Sequence, residues 1–177
     1  MKTKIIKLVK RGSKYLNALE VDIKKFVFED RVKLNCFYCL RYNKNWSCPP
    51  KIPNLNYEKI MNEYDNAILV YCSMPYRSDK EFIVIRREST NLLHRTLLKL
   101  EKVLWENNYP LTISLIGGSC KLCKDGCDKE KCRHPGLRRI PLEGVGMNVV
   151  KTVKACTGMN ITFPPKGKLN RYGLLLW

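Results

Sequence analysis

Seven cysteines in two short groups are the residues of this chain most able to do chemistry. The stretch CFYCLRYNKNWSCPP sets Cys36, Cys39 and Cys48 at C-x2-C-x8-C and follows the last with Pro49 and Pro50. The stretch CKLCKDGCDKEKCRHP sets Cys120, Cys123, Cys127 and Cys132 at C-x2-C-x3-C-x4-C. Thiolates are soft ligands for zinc, copper and iron–sulfur clusters. Nine cysteines in all, an odd number, point to metal before disulfides.

The second group is self-sufficient: four thiols within thirteen residues can wrap one centre without help from elsewhere. Its rhythm is close to the ferredoxin run C-x2-C-x2-C-x3-C-P, where short spacings present sulfurs to the corners of a 4Fe-4S cubane. Structural zinc sites more often use two C-x2-C knuckles separated by a longer spacer. Spacing thus favours one or two 4Fe-4S clusters, with zinc as the alternative.

The first group is one thiol short and has two completions. Another residue supplies the fourth bond, with Cys72 or Cys156 as candidates, or one metal position stays open for water or substrate. Pro49 and Pro50 fix the chain direction and remove amide donors. Tyr38, Tyr42 and Trp46 could line and shield such a centre, although aromatic residues beside a loop also serve as packing.

The elements that must position these groups are uneven in clarity. NAILVYC (66–72) is a β-branched apolar run that reads as a buried strand, and LTISLIG (111–117) as a second. Between them Ser78 and Glu81 form a capping-box pattern, and Leu93, Leu97, Leu100 and Leu104 recur at helical spacing. A long helix is expected from Ser78 to Asn107. Strand, helix, strand is a βαβ unit, which implies parallel pairing. Asn54 or Asn56 can cap a short helix through Tyr64, a further helix is expected over Pro141–Cys156, and YGLLLW looks like a closing strand. Residues 16–34 fit helix and strand equally. The expected fold is a single α/β domain spanning 1–177, with a small parallel or mixed sheet and both cysteine-rich metal-binding loops at its carboxyl edge.

A chain of 177 residues at 45% hydrophobic content supports one ordinary core. The start is basic without a signal-like apolar stretch, and no later run could span a bilayer, so a cytoplasmic location without membrane attachment is expected. Net charge is +17. Simple solubility would account for it, as would an acidic protein partner or nucleic acid. Dispersal of the basic residues favours the protein partner, although the first fourteen residues hold six Lys or Arg and no acid.

Taken jointly, the two groups resemble a prokaryotic family of predicted metal-binding proteins, domain of unknown function 2284. The resemblance rests on Cys36, Cys39, Tyr42, Trp46, Cys48, Pro49 and Pro50, then on Gly118, Cys120, Cys123, Cys127, Cys132, Arg133, His134 and Pro135. It covers about residues 30–150. Ser119 stands where a proline is expected before Cys120, and Asn148 where an aspartate is expected. The resemblance implies metal binding, iron–sulfur before zinc, in an anaerobic or redox setting; it supplies no reaction.

Other side chains are secondary. His134, two residues after Cys132, could hydrogen-bond a cluster sulfur or carry protons, and Arg133 would favour the reduced, more negative state. Glu143 falls in the first turn of the helix expected from Pro141, where an acid suits the dipole, and is a candidate proton donor. His94 falls off the leucine stripe and reads as a surface residue. No phosphate-loop, Ser-His-Asp or His-Glu-x-x-His pattern occurs. Two functions remain. One is an iron–sulfur redox protein, recruiting an acidic ferredoxin or flavodoxin or acting on a small molecule at an open iron. The other is a non-catalytic zinc module contacting nucleic acid or an acidic protein.

Overall fold

The computed structural model describes residues 1–177. In chain order its elements are α1 (Lys2–Gly12), β1 (Leu16–Val21), α2 (Asp30–Phe37), α3 (Tyr57–Met61), β2 (Ala67–Pro75), α4 (Asp79–Trp105), β3 (Ile113–Leu115), α5 (Val149–Thr157) and β4 (Lys168–Leu176). A 3₁₀ turn at Ile23–Lys25 follows β1, so the ambiguous 16–34 stretch holds a strand, a turn and a helix.

The sheet has the order β1-β2-β4-β3, and every neighbouring pair of strands is antiparallel. This corrects the expected parallel pairing. Because β2 and β3 each run against β4, they do point the same way across α4, but β4 lies between them. The reason is burial: β4 is buried continuously from Tyr172 to Leu176, which suits a strand with neighbours on both sides. The one parallel contact is an isolated bridge between Ile116 and Pro141.

Side-chain alternation divides the core into two layers. Ile68, Val70 and Cys72 face α4 and α1, meeting Leu93, Leu97, Leu100 and Leu104 together with Ile5 and Val9. Ala67, Leu69, Leu174 and Leu176 face the other way, onto Met61, Leu142, Val145, Met147 and Val153. Each fully buried leucine contributes about 2 kcal/mol. Gly173 permits the close approach of α4, since a Cβ there would lie 2.7 Å from Leu97 Cδ1 and 2.8 Å from the Leu115 carbonyl.

Capping explains the helix boundaries. Ser78 accepts the Glu81 amide at 3.3 Å and starts α4 as expected, and Asn56 accepts the Lys59 amide at 2.9 Å to start α3. The helix expected from Pro141 begins only at Val149, because Asn148 caps it by accepting the Lys151 amide at 3.0 Å. Residues 141–146 form a tight turn instead, with the Gly146 amide bonded to the Glu143 carbonyl at 3.0 Å. Glu143 therefore sits in a turn and not on a helix. No helix is long and apolar enough to cross a membrane.

His94 is also corrected, from surface to fully buried, at 0% exposure. It leaves the leucine stripe because it faces a loop: its Nε2 lies 2.9 Å from the Leu137 carbonyl, and its Nδ1 is buried without a partner. Donation from Nε2 fits the neutral ring, and burial brings its pKa down from 6.5 to about 4. The unfolded chain therefore takes up a proton that the folded chain refuses. Stability is complete above about pH 6.5 and falls as pH drops toward 4, by about 3 kcal/mol in total. Denaturant melts at pH 7 and 4.5 should show this loss in the wild type and much less of it in His94→Gln, which keeps a donor for Leu137.

Candidate metal centre

The two cysteine groups lie in loops with little regular structure, and tertiary contacts hold those loops together. The first group begins in the last turn of α2, which carries Cys36, and continues through successive turns, with the Cys39 amide on the Cys36 carbonyl at 3.1 Å and the Cys48 amide on the Asn45 carbonyl at 3.0 Å. The second follows β3 through Gly117 and Gly118. An antiparallel sheet has no single carboxyl edge, so the expectation of both loops at such an edge is not met. They meet nevertheless. Asn45 donates from Nδ2 to the Cys120 carbonyl at 3.0 Å, Trp46 from Nε1 to the Asp128 carbonyl at 2.8 Å, and Arg138 to the Trp46 carbonyl at 2.9 Å.

The thiols are mutual neighbours across the two groups. Burial pushes Cys48 up to about 12, with Cys36, Cys39, Glu143 and Cys127 close enough to add to the effect. Cys36 is pushed up to about 11 by burial, then by Glu143 and Cys39. Cys120 is likewise raised by burial, with Cys127 and Cys123 as charged neighbours. Cys127 is thus the thiol that neighbours both groups. Thiols held protonated by burial are poor nucleophiles, whereas a metal ion deprotonates a coordinating thiol outright. No three His, Cys, Asp or Glu side chains close round a single ion. The donor set nevertheless fits a thiolate-bound centre in its chemistry, with soft ligands drawn from two loops into one region.

Of the two candidates for a fourth ligand, neither joins this cluster. Cys72 is fully buried in the core beneath α4, and burial pushes it up to about 12 with Arg171 as its one charged neighbour. Cys156 lies on α5, 3.8 Å from the Asp22 carbonyl, with Lys25 and Asp22 around it. Cys132 lies on the same loop as Cys127, half-buried. Of the polar residues named above, Arg133 pairs with Asp128 at 3.5 Å across the second loop, and His134 is exposed. Tyr42 packs edge-on against Phe37, so its role is at least partly that of a packing residue. Glu143 is drawn in: it neighbours Cys36 and Cys48, and its Oε2 accepts the Gly118 amide at 3.1 Å.

A model of the family described as "Predicted metal-binding protein (DUF2284)" matches residues 19–177. The chain belongs to this family. The match takes in both cysteine groups, every strand except the start of β1, and the whole of α4. No curated protein and no solved structure matches the chain. The family description establishes metal binding as the predicted property and leaves the metal open.

Three polar residues of α4 hold the second loop, and none of them was singled out for that role in the sequence. Arg87 donates to the carbonyls of Cys123 and Lys124 at 3.1 and 3.2 Å, His94 meets Leu137, and Glu101 pairs with Arg139, whose Nε lies 2.7 Å from Oε1. They stand at seven-residue intervals on α4, a spacing that puts them along one side of the helix. That side clamps the second loop while the leucine stripe faces the sheet. The interval was readable, but polar residues at such spacing also suit an exposed face.

Proposed function

We infer that this protein holds an iron–sulfur centre between its two cysteine loops and works as a redox protein. The observation that carries this reading is the docking of loops about seventy residues apart in sequence, in which Asn45 and Trp46 bond the Cys120 and Asp128 carbonyls, with Cys127 among the charged neighbours of both Cys48 and Cys120. Cys120, Cys123, Cys127 and Cys132 would ligate one 4Fe-4S cluster, and Cys36, Cys39 and Cys48 would ligate a second or leave an iron position open. A bound cluster supplies one-electron chemistry. Glu143 holds the Gly118 turn and stands beside Cys36, placed to carry a proton at that end.

The surface beside the first loop suits an acidic redox partner of the ferredoxin or flavodoxin kind. Cys39 is exposed, flanked by Phe37, Tyr38 and Leu40 at 56, 76 and 85% exposure, with the basic Arg41 and Lys44 next along the chain. An apolar centre with a basic rim is the anatomy of a charge-steered transient interface. The zinc reading keeps the same ligands and needs no redox partner.

Metal and acid-labile sulfide analysis of anaerobically purified protein separates the two. Roughly four to eight irons with equal sulfide, and broad visible absorbance that bleaches with dithionite, are the expected result. About one or two zinc ions without sulfide would overturn the redox reading.

A further inference from the structure

On the α4 side of the second loop lies a cavity of about 420 Å³ whose lining is strongly basic. Arg41 and Lys44 come from the first loop, Arg86 and Arg87 from α4, and Lys121 and Lys124 from the second. Asp125 is the one acid among the lining residues. None of the six cations takes part in any ion pair of the protein. Because they come from three separate segments, folding itself assembles them, against their mutual repulsion.

Two of the six are fixed by the backbone. Arg87 donates to the Cys123 and Lys124 carbonyls, and Lys121 donates to the Ser119 carbonyl at 3.1 Å. Behind them stands Arg171, a charged neighbour of Lys121 and Arg86 that also has the Glu143 carboxylate beside it. A thiolate-ligated centre would bring only about two negative charges. That leaves most of this positive charge without a counterpart.

We propose that this cavity binds a small phosphate-bearing molecule, its phosphate oxygens received by Arg86, Lys124, Arg41 and Lys44. The chemistry follows from the lining. Ile83 is the only large aliphatic side chain there, and six of the lining residues are cations, which suits a ligand recognised through its phosphate charge. The volume is in the range of small-molecule sites and too small for a folded partner. Cys120, Cys123 and Cys127 form another wall of the cavity, so the phosphate would sit against the second loop's metal centre; the inference rests on that placement and is the same for an iron or a zinc centre.

The test is calorimetric titration of the purified, metal-loaded protein with pyrophosphate, inorganic phosphate and sulfate at constant ionic strength. Pyrophosphate should bind at least about tenfold more tightly than sulfate. Arg86→Gln should weaken pyrophosphate by about tenfold or more, and Lys44→Gln, at an exposed position, should weaken it without change in melting temperature. Lys154→Gln, on α5 away from the cavity, should bind as the wild type does. Pyrophosphate binding no tighter than sulfate, or equal in wild type, Arg86→Gln and Lys44→Gln, would overturn the proposal. So would an acidic protein or an oligonucleotide that binds the same residues while pyrophosphate fails to compete. Metal content measured on the same samples reports separately on the iron–sulfur reading.

Discussion

Cys127→Ser is expected to release both cysteine loops at once, with a melting temperature about 10 °C or more below that of the wild type. Cys127 is the thiol that neighbours Cys48 in one group and Cys120 in the other. The loops that carry them have few backbone ladders of their own, and between them the cross-loop ties are chiefly side-chain bonds from Asn45, Trp46 and Arg138. A bound metal would therefore contribute directly to folding, as structural metals do. For a chain of this size, 10 °C corresponds to roughly 4 kcal/mol. Metal content should fall with it, and limited proteolysis should cut in both the 36–50 and the 120–135 loops. Cys156→Ser, beside Asp22 and remote from the loops, should change neither. Cleavage confined to one loop, with the other protected, would show that the first group's loop stands without support from the second.

Gly117→Ala should be nearly as damaging for a wholly different reason. A Cβ at this position would lie 2.4 Å from the Tyr172 carbonyl oxygen and 3.2 Å from the Tyr172 nitrogen. These are backbone atoms of β4, in the middle of the sheet, and they cannot rotate aside as a flexible side chain would. Over-packing of this kind costs about 3 kcal/mol or more. The strand must also pull away from β4, dragging the Gly118 amide from Glu143 and altering the approach to Cys120. Thermal melts should fall by about 6–12 °C, and metal loading should drop with them. Gly136→Ala, in the same loop but with nothing within 4 Å of the added Cβ, should be neutral to within about 0.5 kcal/mol.

These two outcomes draw on different parts of the molecule, and the sequence revealed them unequally. The cysteine spacings mark both metal loops without any structure, because ligand chemistry is local: three or four thiols a few residues apart can reach one centre wherever the loop lies. The same holds for α4, whose capping serine and leucine stripe encode start, direction and buried face within the helix itself.

Partnership between distant segments is another matter. The apolar runs at β2, β3 and β4 announce burial but not neighbours, and the βαβ pattern pointed to a direct pairing that β4 interrupts. Likewise Glu143 reads as a helix-start acid until Asn148 takes the cap and leaves it beside Cys36. His94 reads as surface until the second loop covers it. The sequence by itself determined which residues are equipped to hold a metal and which helix must be long. Only the tertiary structure decided that the two thiol groups share one region, that α4 clamps one of them through Arg87, His94 and Glu101, and that six cations crowd into one cavity. The physical reason is range: periodicity and ligand spacing are set by bonds a few residues long, whereas strand order and loop docking depend on which buried surfaces fit across the whole chain.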